Sequence, residues 1–569
     1  MAMKQAARIP IIFLLATFIF VILSACQSSR SAKADDDGER SFTSVDVEAA
    51  QRLLGIEFTR SEIDTMDSYL QRNLTAYDSM RQHPLDNAVV PALYFDPRPD
   101  GFQLPAPQKA VKWGLPEKVA LPERMSELAF YSVAELAALL RSRQISSAGL
   151  TRFFLGRLKK YDPKLEAVVT LTEELAMEQA RRADEEIARG EYRGPLHGIP
   201  YGVKDLLAVP GYPTTWGAEP YREQVIEATA TVVERLEAAG AVLIAKLSSG
   251  ELAYGDIWFG GRTRNPWNLE EGSGGSSAGP AAATAAGLVP FSIGSETWGS
   301  IVSPSTRCGA TGLRPSYGRV SRYGAMTLSW SLDKVGPIGR TAQDCALVLE
   351  AIRGSDGRDR SVVDISFNYD AEMDLSSLRG AYLAKAFDAD TSSRGDNDRA
   401  ALDVFRKLGL DLKAVELPSE MDYSALIYLI IRAEGGAAFD ELVRSNREDM
   451  LTNQGRVSRV NSLRMSRFVP AVEYLQANRH RKLLIERMHE LFKQYDFLIM
   501  PTYGSDGSAI GNMTGHPVIS LPNGFDQDGQ PTSIILMGRL YDEASILALA
   551  ARFQAATAHE DRHPKGFTD

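Results

Sequence analysis

The stretch from Gly272 to Ser303 reads GSGGSSAGPAAATAAGLVPFSIGSETWGSIVS and holds the residues best suited to chemistry in this chain. Glycine and serine at this density open backbone conformations closed to bulkier residues and leave N–H groups free to face a ligand. A helix of small residues, 276–286, and an apolar strand, 288–294, lie inside the stretch, which sets it apart from a flexible linker. Two catalytic templates fail here. No lysine follows the glycines, so the stretch is not a phosphate loop. Residues 275–279 match G-x-S-x-G, but that elbow requires an apolar strand directly before the serine. The preceding NPWNLEEG, 265–272, reads as a loop instead. The seven histidines show no H-E-x-x-H or C-x-x-C context, so no metal site is expected.

A third pattern fits over a longer range. Residues 274–279 (GGSSAG), 294–301 (GSETWGSI), 308–315 (CGATGLRP) and, upstream, 198–205 (GIPYGVKD) together resemble the amidase signature family. Residues 264–268 (RNPWN), 317–321 (YGRVS), 333–337 (DKVGP) and 515–522 (GHPVISLP) agree with it. The resemblance covers roughly 130–569. It implies Ser300 as nucleophile, Ser276 as a bridging serine after a cis peptide bond, and Lys204 as base. It also implies an oxyanion hole from the backbone N–H groups of Thr297, Trp298, Gly299 and Ser300. No cofactor or metal is implied.

The implied chemistry is physically coherent without a histidine. A serine hydroxyl is a weak nucleophile until a neighbour takes its proton. A lysine takes it only if burial away from carboxylates pulls its pKa far below the free value. Trp298 departs from the glycine usual in the family; a positive φ there would strain a tryptophan. Ala278 and Pro280 replace the usual glycine and serine and bear on substrate shape. Asp205, beside Lys204, is a candidate modulator of the lysine's pKa or a structural hydrogen-bonding group. Arg314 is expected as a structural ion pair or backbone ligand, and His197 and His516, near these motifs, are given no catalytic role. Trp216, Trp258, Trp267 and Trp330 are expected in the core or a pocket wall.

The elements that must hold these residues alternate. Ser132 and Glu135 make a capping box for a helix through Leu140, and a second amphipathic helix spans 172–189. A helix at 229–239 stops at Gly240 before a buried strand, 241–246. Further strands are expected at 380–387, 412–417, 497–500 and 534–537. This alternation predicts an α/β fold, a large twisted mixed sheet covered by helices on both faces. Ile63, Met66, Leu70, Leu74 and Tyr77 give an earlier helix one apolar face. The substrate pocket wall is expected between about 390 and 480.

The chain begins differently. Lys4 and Arg8 precede seventeen uncharged residues, 9–25, and the close of this run, Leu23-Ser24-Ala25, followed by Cys26, resembles a bacterial lipobox. Cleavage before Cys26 and its lipidation would anchor the protein in a membrane, and Gln27 points to the outer membrane, facing the periplasm. An uncleaved anchor helix is the alternative, and it too exports the rest of the chain. The expected layout is a signal peptide at 1–25, a tether at 26–45, a helical, proline-rich extension at 46–125 and an amidase domain at 126–569. A formal net charge of −10 argues against a nucleic-acid partner. Cys308 and Cys345 are expected as buried thiols. The expected activity is hydrolysis of a small-molecule amide through an acyl-enzyme on Ser300. Alternatives are a glutamine amidohydrolase resembling the A-type component of the tRNA-dependent amidotransferases, an esterase with the same triad, and a binding scaffold that keeps only the fold. The oligomeric state is open.

Overall fold

The computed structural model describes residues 42–569, so the expected signal segment, Cys26 and most of the tether lie outside the described residues. Two compact units divide between Leu85 and Asp86.

The first is a helical hairpin, Ser44–Leu54 and Arg60–Arg81. Capping boxes open both helices, Thr43 with Asp46 and Thr59 with Glu62. Gly55, at φ 66°, ends the first. Arg60 reaches Glu48 at 2.9 Å across the hairpin. Of the expected apolar face, Ile63 is buried, Met66, Leu70 and Leu74 are half-buried, and Tyr77 is exposed.

The second unit is built on eleven strands in one sheet. In chain order they are β1 (Val168–Leu171), β2 (Pro200–Lys204), β3 (Val242–Leu247), β4 (Phe291–Glu296), β5 (Thr311–Arg314), β6 (Lys334–Gly339), β7 (Gly380–Tyr382), β8 (Leu412–Ala414), β9 (Phe497–Pro501), β10 (Val518–Phe525) and β11 (Pro531–Gly538). Their spatial order is β1-β3-β2-β4-β6-β5-β10-β11-β9-β7-β8. β2 runs parallel to β3 and β4, and β7 parallel to β8 and β9. The middle of the sheet is antiparallel. Every residue of β2, β3, β4, β6 and β11 is buried. A strand buried on alternate sides throughout needs helices over both faces of its sheet, so this is the expected mixed α/β architecture.

Local signals place several elements as expected. Ser132 caps the helix Val133–Arg141, its Oγ accepting from the N–H of Glu135. The helix Glu173–Arg189 ends at Gly190, and Thr231–Ala238 leads into β3. Several boundaries differ: β8 ends at Ala414 rather than residue 417, and the small-residue helix starts at Ala278 rather than Ser276. β4 starts at Phe291 rather than Leu288, because the Leu288 N–H is spent on the Ala283 carbonyl (2.8 Å), ending the preceding helix, and Pro290 has no N–H. β7 stops at Tyr382 rather than Phe387. Only residues 380–382 find partners on β8 and β9, and the chain coils into a helix, Ala384–Ala389, whose alanines and lysine favour it. Cys308 and Cys345 are buried and unpaired. No helix of the described residues is long and apolar enough to cross a membrane.

Buried charge is matched at the sheet ends. Arg319 sits 3.3 Å from Glu543, both almost fully buried, and Glu543 also accepts from the Ser316 N–H at 2.9 Å. Removing one member of such a pair strands the other's charge. Glu543→Ala is therefore expected to destabilise the fold by about 3–5 kcal/mol, read as a lowered urea midpoint; an unchanged midpoint would refute this.

Candidate active site

Lys204 ends β2, and its neighbour β4 runs parallel with Val203 opposite Ile293, so Lys204 and Ser295 emerge at the same end of these two strands. Lys204 is fully buried. Its Nζ donates to Ser276 Oγ at 2.7 Å and to Ser295 Oγ at 2.9 Å. Burial pulls its pKa down to about 7, helped by the charge of Arg459 and resisted by Asp333 and Glu296. Asp205, one residue on, gives Lys204 no contact. Its carboxylate pairs with Lys246 at 2.9 Å and accepts from the Thr215 N–H and hydroxyl. The tempting modulator beside the lysine is thus occupied elsewhere.

Ser276 follows a cis peptide bond after Gly275. A Cβ on Gly275 would stand 1.8 Å from the Gly255 carbonyl oxygen, so only glycine lets the 250–255 loop lie directly on this turn. Gly250 N–H donates to the Ser276 carbonyl at 3.2 Å. Ser277 then staples three segments together. Its N–H donates to the Ser300 carbonyl at 3.0 Å, its Oγ donates to the Ser295 carbonyl at 3.0 Å, and the same Oγ accepts from the Ser295 N–H at 3.1 Å. These bonds carry Ser276 and Ser300 into one neighbourhood.

The turn 297–300 leaves β4 and precedes the helix Val302–Cys308. Glu296 anchors it: one carboxylate oxygen accepts from the Ile301 and Val302 N–H groups at 2.9 and 3.1 Å. The other accepts from Arg314 and Asn512, each at 3.0 Å. Burial alone would raise the pKa of Glu296, but Arg314, Lys334 and these donors hold it down at about 2. Thr297 Oγ1 is fixed by Asp333 at 2.5 Å. The N–H groups of Thr297, Trp298, Gly299 and Ser300 donate no hydrogen bond among the described residues. The positive φ of the turn falls on Gly299, at 78°, not on Trp298. Trp298 is therefore unstrained, and its ring meets Tyr428 edge-on at 4.7 Å.

A cavity of about 1520 Å³ reaches Ser295, Thr297 and Asp333. The expected 390–480 region lines it through Glu434, Tyr474 and Arg481, and residues of the 86–100 segment close another side. The proline-rich segment thus shapes a pocket that its composition gives no reason to suspect. Ser295, Glu296, Lys246 and Arg459 also join the site without being expected there from the sequence. Ser295 and Glu296 stand inside the 294–301 motif, where their spacing from Ser300 is a usable signal; Lys246 and Arg459 have none. Arg314 holds Glu296, His197 lies 3.0 Å from Glu186, and His516 Nδ1 is bonded to Thr514 Oγ1, all structural placements.

Residues 149–514 match the family model described as Amidase. The chain belongs to the amidase signature family. It is 36% identical to the A-type subunit of the glutamyl-tRNA(Gln) amidotransferase of Methylococcus capsulatus over 484 residues, 77% of this chain and 99% of that relative. The native peptide amidase of Stenotrophomonas maltophilia superposes with a TM-score of 0.68 at 27% identity, covering 77% of this chain and 99% of that one. A chain from a vestigial complex linked to the origins of an s-triazine catabolic enzyme gives 0.69 at 29% identity, covering 75% and 99%. This protein is accordingly an enzyme of the amidase type, acting on carbon–nitrogen bonds.

A base works only when unprotonated. With Lys204 depressed to about 7, kcat/KM for an amide is expected to fall about tenfold per pH unit below that value and to level above it. A profile flat from pH 5 to 8 would exclude Lys204 as the base.

Proposed function

We propose that this enzyme hydrolyses carboxamides through an acyl-enzyme on Ser300, with Ser276 and Lys204 as proton relay and base. The observation that carries the reading is the 2.7 Å contact between a buried lysine and Ser276, with no carboxylate touching the lysine. Ser300 Oγ attacks the carbonyl carbon and passes its proton to Ser276, which passes its own to neutral Lys204. The negative oxygen of the tetrahedral intermediate lies against the free N–H groups of the 297–300 turn; one such donor is worth on the order of 3 kcal/mol in the transition state. The C–N bond then breaks, and the proton returns through Ser276 to the departing nitrogen. Water repeats the sequence in reverse and frees the acid.

The name of the curated relative supports a second reading, and more directly than it supports hydrolysis of an unrelated small amide: L-glutamine is the amide and ammonia the useful product. Near-complete coverage of that relative at 36% identity favours it. The lipobox-like start of this chain favours the first reading, as an enzyme exported and tethered to the outer membrane through a lipidated Cys26. An esterase using the same three residues remains an outcome of the same assay.

Three measurements test these proposals. A fluorophosphonate probe is expected to label Ser300 in wild type and not in Ser300→Ala, which should lose at least about 10³-fold in hydrolysis. Ammonia release from L-glutamine, compared with peptide amides, aryl amides and the matching esters, separates the readings. A folded wild-type protein that resists the probe would exclude the acyl-enzyme. Expression in bacteria with labelled palmitate should mark the protein unless Cys26 is changed to alanine; absence of the mark in wild type would overturn the tether.

A further inference from the structure

The helix Tyr423–Ala438 carries Tyr428 and Arg432 one turn apart on one face. Through the edge-on contact of Tyr428 with Trp298, that face lies against the turn that precedes Ser300. The Arg432 guanidinium stands 5.3 Å from the centre of the Tyr428 ring. Its side chain makes no ion pair and no hydrogen bond among the described residues, and its Nε is buried without a partner.

Arg432 itself is half-buried, and Arg314, Arg319 and Arg340 also have a buried Nε without a hydrogen-bond partner, but each of those three gives its terminal N–H groups to protein oxygens and Arg432 does not. Arg314 and Arg322 are paired with carboxylates. Arg340 and Arg481, without one, give their N–H groups to backbone carbonyls, and Arg481 also to a hydroxyl. A guanidinium stays charged at any physiological pH, so its buried N–H, with neither carboxylate nor carbonyl opposite it, has lost water without gaining a partner. An anionic ligand would supply one.

The surroundings carry the same sign. Arg459, 5% exposed, lies 5.1 Å from the centre of the Tyr254 ring and holds the carbonyls of Leu252 and Ala253 at 3.0 and 3.1 Å. It has no carboxylate partner among the described residues. The loop it holds is the one that rests on Ser276 through Gly250. Tyr254 is within electrostatic reach of both arginines and of Tyr428. Two arginines without acidic partners and three aromatic rings thus flank the candidate catalytic serines.

We infer that Arg432 binds a carboxylate carried by the acyl part of the substrate, whose apolar or planar body lies along Trp298 and Tyr428. The substrate class is then an amide of a dicarboxylic acid rather than a neutral alkyl or aryl amide. The planar fork of arginine suits two-point contact with a carboxylate, and the rings offer it an apolar flank. This rests on the acyl-enzyme reading for where the scissile carbonyl sits, but its test does not need turnover.

The test measures binding to the Ser300→Ala protein by calorimetry, using matched pairs: 4-carbamoylbenzoate against 4-methylbenzamide, and glutaramate against pentanamide. The carboxylate member of at least one pair is expected to bind at least tenfold tighter. Arg432→Met, or Arg432→Gln if the first does not fold, should bring it down to the affinity of its neutral partner. Equal binding within both pairs, no measurable binding of either carboxylate at millimolar concentration, or a preference that survives the loss of Arg432 would each overturn the inference. Wild-type turnover of the same amides is read separately. Carboxylate-selective binding with no hydrolysis would sink the acyl-enzyme mechanism and leave the Arg432 subsite standing.

Discussion

A lysine side chain buried at the end of an interior strand, with hydroxyls for partners and no carboxylate in contact, is the constraint on which this molecule is built. An ammonium ion placed there would be costly, so burial favours the neutral amine, which is the form a base requires. Keeping it so demands both walls and restraint. The walls are β3 and β4 on either side of β2, buried along their whole length. The restraint is that the adjacent Asp205 is bound to Lys246 and Thr215, so its charge is balanced away from Lys204. Ser276 and Ser295 are then the side chains that Lys204 meets.

The turn that carries Ser300 depends on a second buried charge of opposite sign. Glu296 satisfies the first N–H groups of the following helix, as an N-terminal carboxylate does. In doing so it leaves the N–H groups of 297–300 without internal partners. Its other oxygen is held by Arg314 from β5 and by Asn512 from the helix Gly507–Thr514. Three distant parts of the chain therefore converge on one carboxylate. The stability of the sheet centre and the geometry of the turn are the same set of bonds, and a substitution at Glu296 would disturb both together.

Around this shared machinery the walls are more particular to the chain. Trp298 occupies its place without strain because Gly299 takes the left-handed conformation. The ring it adds is met by Tyr428, and that contact aligns the 423–438 helix with the site. The cavity beyond is closed in part by the 86–100 segment, far from the motifs in sequence. In the proposed mechanism the hydroxyls and the lysine would act on the amide group alone, which leaves specificity to these walls.

What the sequence determined by itself is what depends on neighbours a few residues apart. The capping box of Ser132 and Glu135, the stop at Gly240, the apolar run of β3, and the glycines around Ser276 and Ser300 all act locally, so their types and spacing were legible. The order of motifs, through their resemblance to the amidase signature, singled out Lys204, Ser276 and Ser300 as candidates, and the fold brings Lys204 onto Ser276. Tertiary structure alone decided the rest. β7 ends at Tyr382 because its partners β8 and β9, drawn from 412–414 and 497–501, pair no further. β10 enters the middle of the sheet between β5 and β11, and no local pattern assigns that position. Lys246 matters because of where Asp205 lies, and Arg432 because nothing acidic lies opposite it. A side chain's charge balance is a property of space, not of spacing, and a linear sequence does not carry it.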